Sequence, residues 1–140
     1  MKVIRIENKD NALMEIAKYI RCEVFVKEQN VPFEEDWDEE ESENYLIYEE
    51  DKPVGTMRWR DLGEKIKLER VAVLPECRGK GIATFLLKEV MEEIKSKTDK
   101  PITLHSQLLA IPLYERLGFK QYGELFYEAE IPHYAMKLER

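Results

Sequence analysis

The chain has 140 residues, 36% of them charged, with a formal net charge of −7. That length supports one substantial core rather than two, so a single domain over residues 1–140 is expected, and an acidic balance with only one local basic loop excludes a phosphate-backbone stripe, so no nucleic-acid partner is expected. Cys22 and Cys77 are the only cysteines and read as free thiols, and with no secretory pattern and no apolar run of transmembrane length the expectation is a cytoplasmic protein with no membrane partner.

In chain order, Lys2–Ile6 alternates and predicts a strand. Over Asp10–Val26, Leu13, Ile16, Ala17 and Ile20 recur at helical spacing, with Asp10 or Asn11 available as the cap. An acidic run, 34–43, follows; it reads either as a solvated loop or as a surface for a small cationic amine. Asn44–Glu49 and Val54–Arg60 flank Asp51-Lys-Pro as a hairpin, and Lys65–Leu74 follows the Gly63 turn, giving three antiparallel strands. From Lys80 to Lys97, residues Ile82, Phe85, Leu86, Val90 and Ile94 form one apolar face, so this helix packs on the sheet. Pro101–Ser106 predicts a strand, Leu108–Leu117 a short helix closed by Gly118, and Phe119–Tyr127 with His133–Leu138 a last pair of strands. The pattern is that of an α+β domain. Trp37, Trp59 and Tyr127 read as core or hairpin packing or as the lining of an acceptor pocket.

The passage Leu68–Thr84 runs from a hydrophobic strand through a glycine loop into a helix N-terminus. The first turn of a helix offers free N–H groups and the positive end of the macrodipole, and Gly79 and Gly81 let a phosphate approach the backbone; Arg78 and Lys80 add mobile positive charge. The spacing fits neither the P-loop nor the dinucleotide fingerprint. It does fit R/Q-x-x-G-x-G/A, at Arg78, Gly81 and Ala83. A thiol nucleophile at Cys77 would need a partner base, and no histidine is near it in sequence. The two histidines and two cysteines show no metal-ligand spacing such as C-x-x-C or H-x-x-x-H, so no metal is expected.

With these residues the chain resembles the GNAT superfamily of acyl-CoA-dependent N-acetyltransferases. A second block, roughly N-x-x-A-x-x-x-Y-x-x-x-G-F, is matched by Gln107, Ala110, Tyr114, Gly118 and Phe119, with Gln in place of the usual Asn. Arg21–Pro32, followed by the acidic run, is similar to the ElaA-like branch. The resemblance implies a three-layer fold with a mixed, mostly antiparallel twisted sheet of six or seven strands and helices on both faces. It also implies a splay between the strands at 65–74 and 101–106. Acetyl-CoA is the implied cosubstrate, with its phosphates on Arg78, Gly79, Lys80, Gly81, Ile82, Ala83 and Thr84 and its pantetheine along Val71, Ala72 and Val73. Gln107 belongs to the same implied site. Arg116 reads either as a contact to the ribose phosphate or as a solvated charge.

The reaction so implied is direct attack of a primary amine, on a small molecule or a peptide, on the thioester. From its position alone Tyr114 is a helix tyrosine packed on the core; the family match makes it the general acid for the departing thiolate. An alkylammonium is almost wholly protonated at neutral pH, so a base is needed, and Glu28, Glu69, His133 or a water chain could serve. His105 stands where the branch more often has a small residue, which leaves the acceptor open. Two other readings stand beside catalysis: an acyl-CoA-binding sensor without turnover, and an interaction protein working through the acidic run. Homodimers through the C-terminal strands are common among the relatives.

Overall fold

The structure is a computed structural model and describes residues 1–7, 10–33, 38 and 40–140. Asp10 starts the first helix, its carboxylate accepting from the N–H of Leu13 at 3.1 Å. The elements follow as β1 (Lys2–Arg5), α1 (Asn11–Arg21), β2 (Glu43–Glu49), β3 (Lys52–Asp61), β4 (Ile66–Val73), α2 (Ile82–Lys97), β5 (Ile102–Gln107), α3 (Ile111–Arg116), β6 (Phe119–Glu128) and β7 (Ile131–Leu138). After Arg21 the chain does not leave the helix axis but widens into π-type turns over Cys22–Glu28, so the helical rod runs beyond the expected Val26. The expected helix at Leu108–Leu117 divides: a 3-10 turn over Leu108–Ala110 leads into α3, whose first turn holds Pro112, a ring with no N–H to lose there. β3 starts earlier than expected, at Lys52, and Pro53 fits because β4 reaches only as far as Gly55.

Among the described residues the strand order is β1-β2-β3-β4-β5-β7-β6, with only β4 and β5 parallel. This is the three-layer α+β arrangement expected, with seven strands, helices on both faces and an open sheet. Its core includes Ile20, Leu46, Ile47, Met57, Leu86, Leu87, Ile94, Ile102 and Met136, all essentially inaccessible. Each such side chain contributes about 1.5–3 kcal/mol by burial. On α2 the buried set is Ile82, Leu86, Leu87, Val90, Met91 and Ile94, while Phe85 is only half-buried. Trp59 belongs to this core and donates to the Tyr45 hydroxyl at 2.9 Å. Gly55 is required by close approach, since a Cβ there would meet Ile47 Cγ2 at 2.9 Å and the Ala72 carbonyl at 3.0 Å.

Two irregularities of β4 set up the functional region. Thr56 faces Ala72 and Arg58 faces Glu69, so Met57 opposes two residues, and the extra one, Arg70, takes φ +55°. Such a bulge bends the strand. The β4–β5 ladder then stops at Leu68 and Leu104, although β4 continues to Val73 on β3 and β5 continues to Gln107 on β7. The expected splay is this divergence.

Registered partners project to the same face of a sheet. The registers therefore align Arg58 and Arg60 of β3, Lys67 and Glu69 of β4, His105 and Gln107 of β5, His133 of β7, and Phe126 and Glu128 of β6 on one face.

Candidate active site

Where β4 and β5 part, a cleft of about 940 Å³ opens, and the residues nominated from the sequence converge on it. Its lining includes Val71, Ala72, Val73, Arg78, Gly79, Gly81, Ile82, Ala83, Thr84, Gln107, Tyr114 and Arg116, together with Glu28, Glu69 and His133. Lys80 is not part of the lining; its ammonium lies 3.4 Å from Glu49 Oε1.

At one end lies the start of α2. Gly81 is its N-cap in the left-handed conformation, φ +77°, and no side chain caps the first turn. Among the described residues, and leaving out its chain neighbours, a Cβ built on Gly79 or on Gly81 would meet no atom within 4 Å. The glycines are thus demanded by backbone conformation, and the space beside them is open to a ligand. The residues fit a diphosphate on this count. Arg78 is not a mobile charge, however. Its Nε donates to the Val73 carbonyl at 3.1 Å, and its two Nη atoms each donate to the Glu28 carboxylate at 2.6 Å. Gln107 likewise donates to Gln29 Oε1 at 2.9 Å. Glu28 and Gln29, at the end of the widened helix, therefore reach one to each side of the splay.

The same pairing governs the proposed bases. The hydrogen bonds from Arg78 hold the Glu28 carboxyl below its ordinary value. Burial by itself pushes the Glu69 carboxyl up, but Arg60, Arg58 and Lys67 more than offset it and bring it down to about 2. Arg60 Nε donates to Glu69 Oε1 at 2.7 Å, Arg58 Nε donates to the same oxygen at 3.0 Å, and Lys67 Nζ lies 3.4 Å from Oε2. Arg58 is itself buried and clamps Asp38, with bonds of 2.7 and 2.9 Å. Asp38 is held well below its ordinary range by those bonds. Glu69 is thus a fixed anion inside a cationic cage, a poor group for taking a proton at neutral pH.

Of the acidic run, Glu34, Glu35, Asp36 and Glu39 lie outside the described residues, as does Trp37. Asp38 is spent on Arg58, and Glu40 lies 3.6 Å from Arg60. These two carboxylates therefore serve the chain's own arginines.

Tyr114, brought to the cleft by the short α3, is 7% exposed with its ring edge-on to Phe119 at 5.9 Å. Burial pushes its phenol well above its ordinary value, so it stays protonated. Among the described residues its hydroxyl makes no hydrogen bond.

His133 is 8% exposed, stacks on Phe126 with centroids 5.8 Å apart, and has Nδ1 2.7 Å from the Ile131 carbonyl. A carbonyl only accepts, so Nδ1 carries the hydrogen and Nε2 of the neutral ring is left as the acceptor. Phe126 also contacts His105, edge-on at 4.8 Å, and His105 has Nδ1 2.5 Å from Glu128 Oε1. Both His105 and Glu128 line the cleft.

The sequence reading missed Arg58, Arg60, Asp38, Gln29, Phe126 and Glu128 as parts of this region. One signal was present: Arg58 with Glu69, and Arg60 with Lys67, sit symmetrically about the Gly63–Glu64 turn, so a hairpin there pairs them. Tyr127 is two-thirds exposed and outside the cleft lining.

Comparison with known proteins bears on this geometry. Residues 7–140 match the family model described as the acetyltransferase (GNAT) domain. The Bacillus subtilis protein described as uncharacterized N-acetyltransferase YjcF is 38% identical over 139 residues, covering 97% of this chain and 98% of its own length. ElaA of Escherichia coli is 31% identical over 127 residues, covering 86% of this chain and 83% of its own. The crystal structure of Escherichia coli ElaA aligns over 99% of this chain and 100% of that one, with a TM-score of 0.83 and 27% identity. An aminoglycoside 6'-N-acetyltransferase solved in complex with coenzyme A shares the fold at a TM-score of 0.74 and 16% identity, over 98% of this chain and 96% of its own.

Proposed function

We propose, from the premise that this chain belongs to the GNAT family of acetyltransferases, that it moves the acetyl group of acetyl-CoA to a primary amine of a small molecule or peptide by direct attack. The observation that carries this reading is the cleft itself: it opens where the parallel ladder ends, with an uncapped, glycine-flanked helix start at one end and a protonated phenol within it. Coenzyme A is the ligand of a relative sharing this fold, which supports the same ligand class here.

In this reading the α2 N-terminus and Arg78 hold the diphosphate, which requires Arg78 to exchange Glu28 for phosphate oxygens. The edge of β4 over Val71–Val73, without a β5 partner, offers peptide groups to an extended ligand and an N–H to the carbonyl oxygen as it gains charge. Tyr114 faces the leaving sulfur. Full transfer from its raised phenol to a thiolate of ordinary basicity, near 8.5, is uphill by about 2 kcal/mol or more, so the hydroxyl acts chiefly by donating a strong hydrogen bond as the C–S bond lengthens. Of the three nominated bases, two are carboxylates clamped by guanidinium groups; His133, with Nε2 left open by its tautomer, is the one fitted to accept a proton.

β6 closes one edge of the sheet and leaves Tyr122 and Leu125 exposed beside Tyr127, which supports the homodimer common among relatives. No helix among the described residues is long and apolar enough to cross a membrane.

The test is incubation of the purified protein with acetyl-CoA and a panel of primary amines, following thiol release together with the mass of the amine. Stoichiometric thiol and acetylated amine bear the reading out. Saturable acetyl-CoA binding with no transfer to any amine would favour the sensor instead.

A further inference from the structure

Two protons must leave the nitrogen of an alkylammonium before it becomes an amide, and one imidazole holds only one of them. The same face of the sheet that presents His133 also presents His105, two residues from the Gln107 that pairs with His133. Both rings contact Phe126, one stacked and one edge-on. Their settings differ. His133 is buried, whereas a third of the His105 side chain is exposed, and both line the cleft. Glu128 reaches His105 from the end of β6, just before the Ala129–Glu130 turn, both residues of which have positive φ.

Resting on the acetyl-transfer reading, we propose that His105 and Glu128 form a proton-accepting dyad for the acceptor amine, with Glu128 as the positioning residue and Nε2 of His105 as the catalytic base. A carboxylate at 2.5 Å can only accept from Nδ1–H, so the tautomer is set and Nε2 is the open nitrogen. The carboxylate also stabilises the imidazolium that forms when a proton arrives, the role a buried acid plays behind a catalytic histidine. In agreement, the hydrogen bond with His105 holds the Glu128 carboxyl below its ordinary value. Among the described residues, the other titratable groups that the registers place on this face near His105 are Lys67 and Glu69 on β4, His133 and Lys137 on β7, and Tyr122 on β6, across Ala135. Glu69 is consumed by its cationic cage, which leaves Glu128 as the carboxylate directed at His105.

One N–H bond of the ammonium breaks, its proton going to Nε2 of His105 and from there to solvent, which the exposed ring can reach. The lone pair so freed forms the C–N bond at the acetyl carbonyl carbon. The C–S bond then breaks with its electron pair on sulfur, to which the Tyr114 hydroxyl donates a hydrogen bond, and the second nitrogen proton, taken at His133, is matched by the proton that the departing thiolate gains from solvent. The net products are the amide, the free thiol and one proton released.

Because the chain has only 2 histidines, nitrogen NMR of the imidazole rings resolves each one, with H133N assigning the other. At mildly alkaline pH wild type is expected to show His105 locked with hydrogen on Nδ1, and E128Q to show the mixed tautomers of an unconstrained ring. In the transfer assay, H105N is expected to lose roughly 10²-fold in kcat/KM, within the usual range for a lost general base, and H105A to be partly rescued by added imidazole. E128Q should keep acetyl-CoA affinity while kcat falls. An NMR signature of His105 indifferent to E128Q overturns the dyad. A locked tautomer with wild-type transfer by H105N overturns the base. If wild type transfers acetyl to no amine while the NMR arm holds, the acetyl-transfer reading has failed and the base role falls with it, although the Glu128 lock stands.

Discussion

Replacing Glu69 by Gln tests whether that carboxylate is a structural anion or a working base. In the folded chain its carboxyl, 6% exposed, sits at about 2 against an ordinary value of 4.5. A fall of that size corresponds to roughly 3 kcal/mol of stability. Because the folded value is depressed, the contribution is whole above about pH 4.5, where the unfolded carboxyl is also ionised, and is lost as pH falls toward about 2. The Gln variant lacks that contribution at every pH and leaves buried Arg58 with one anion fewer, so at neutral pH it should be less stable by roughly 3–5 kcal/mol. At this chain length that is a fall in Tm of roughly 6–20 °C. Urea unfolding of wild type and variant in parallel from pH 7 to pH ~2.5 is the assay, and taking the difference cancels the similar contribution of Asp38. The gap between the two should close by roughly 3 kcal/mol on acidification. A gap constant with pH, or no gap at neutral pH, would refute the caged anion. A normally stable variant whose transfer rate alone collapsed would return Glu69 to the role of base.

Other outcomes follow from the site. Gly81→Val places a β-branched residue at φ +77° and a side chain in the open space beside it, so acetyl-CoA affinity in calorimetry should fall on the order of tenfold or more, with about 1–2 kcal/mol of backbone strain added in unfolding. Unchanged affinity in the folded variant would remove the phosphate from this loop. Tyr114→Phe should lower kcat ~10²-fold with acetyl-CoA affinity nearly unaltered, and equal turnover would leave Tyr114 as packing against Phe119. Glu28→Gln releases Arg78 from an exposed pair worth up to ~1 kcal/mol, so acetyl-CoA should bind up to about fivefold more tightly. Weaker binding would show instead that Glu28 holds Arg78 in its useful orientation.

Local patterns carried most of the fold. The apolar spacing of α2, the alternation of β2 and β3, the Gly63 turn and the glycine loop each depend on neighbours in sequence, so they could be read directly. The boundaries that moved depend on the third dimension: the helix beyond Arg21 persists as wider turns, and β4 acquires a bulge at Arg70 that no local motif announces. The site divides the same way. Backbone features such as Gly81, and residues matched by motif such as Tyr114, lie on the cleft as nominated. Charge partnerships were harder to see. Arg78 with Glu28 joins positions 50 residues apart, and His105 with Glu128 requires knowing both the β5–β7 and β6–β7 registers, the second interrupted between Tyr122 and Phe126. For that reason two residues nominated for different tasks, Arg78 and Glu28, turn out to be bonded to each other.

Calorimetric titration with acetyl-CoA, set beside an acetyl-pantetheine analogue lacking the diphosphate, tests most directly whether the cleft between β4 and β5 receives acyl-CoA through the start of α2. Saturable binding of acetyl-CoA, weakened strongly when the diphosphate is absent, is the predicted result; equal binding of the two, or no binding of either, would contradict it.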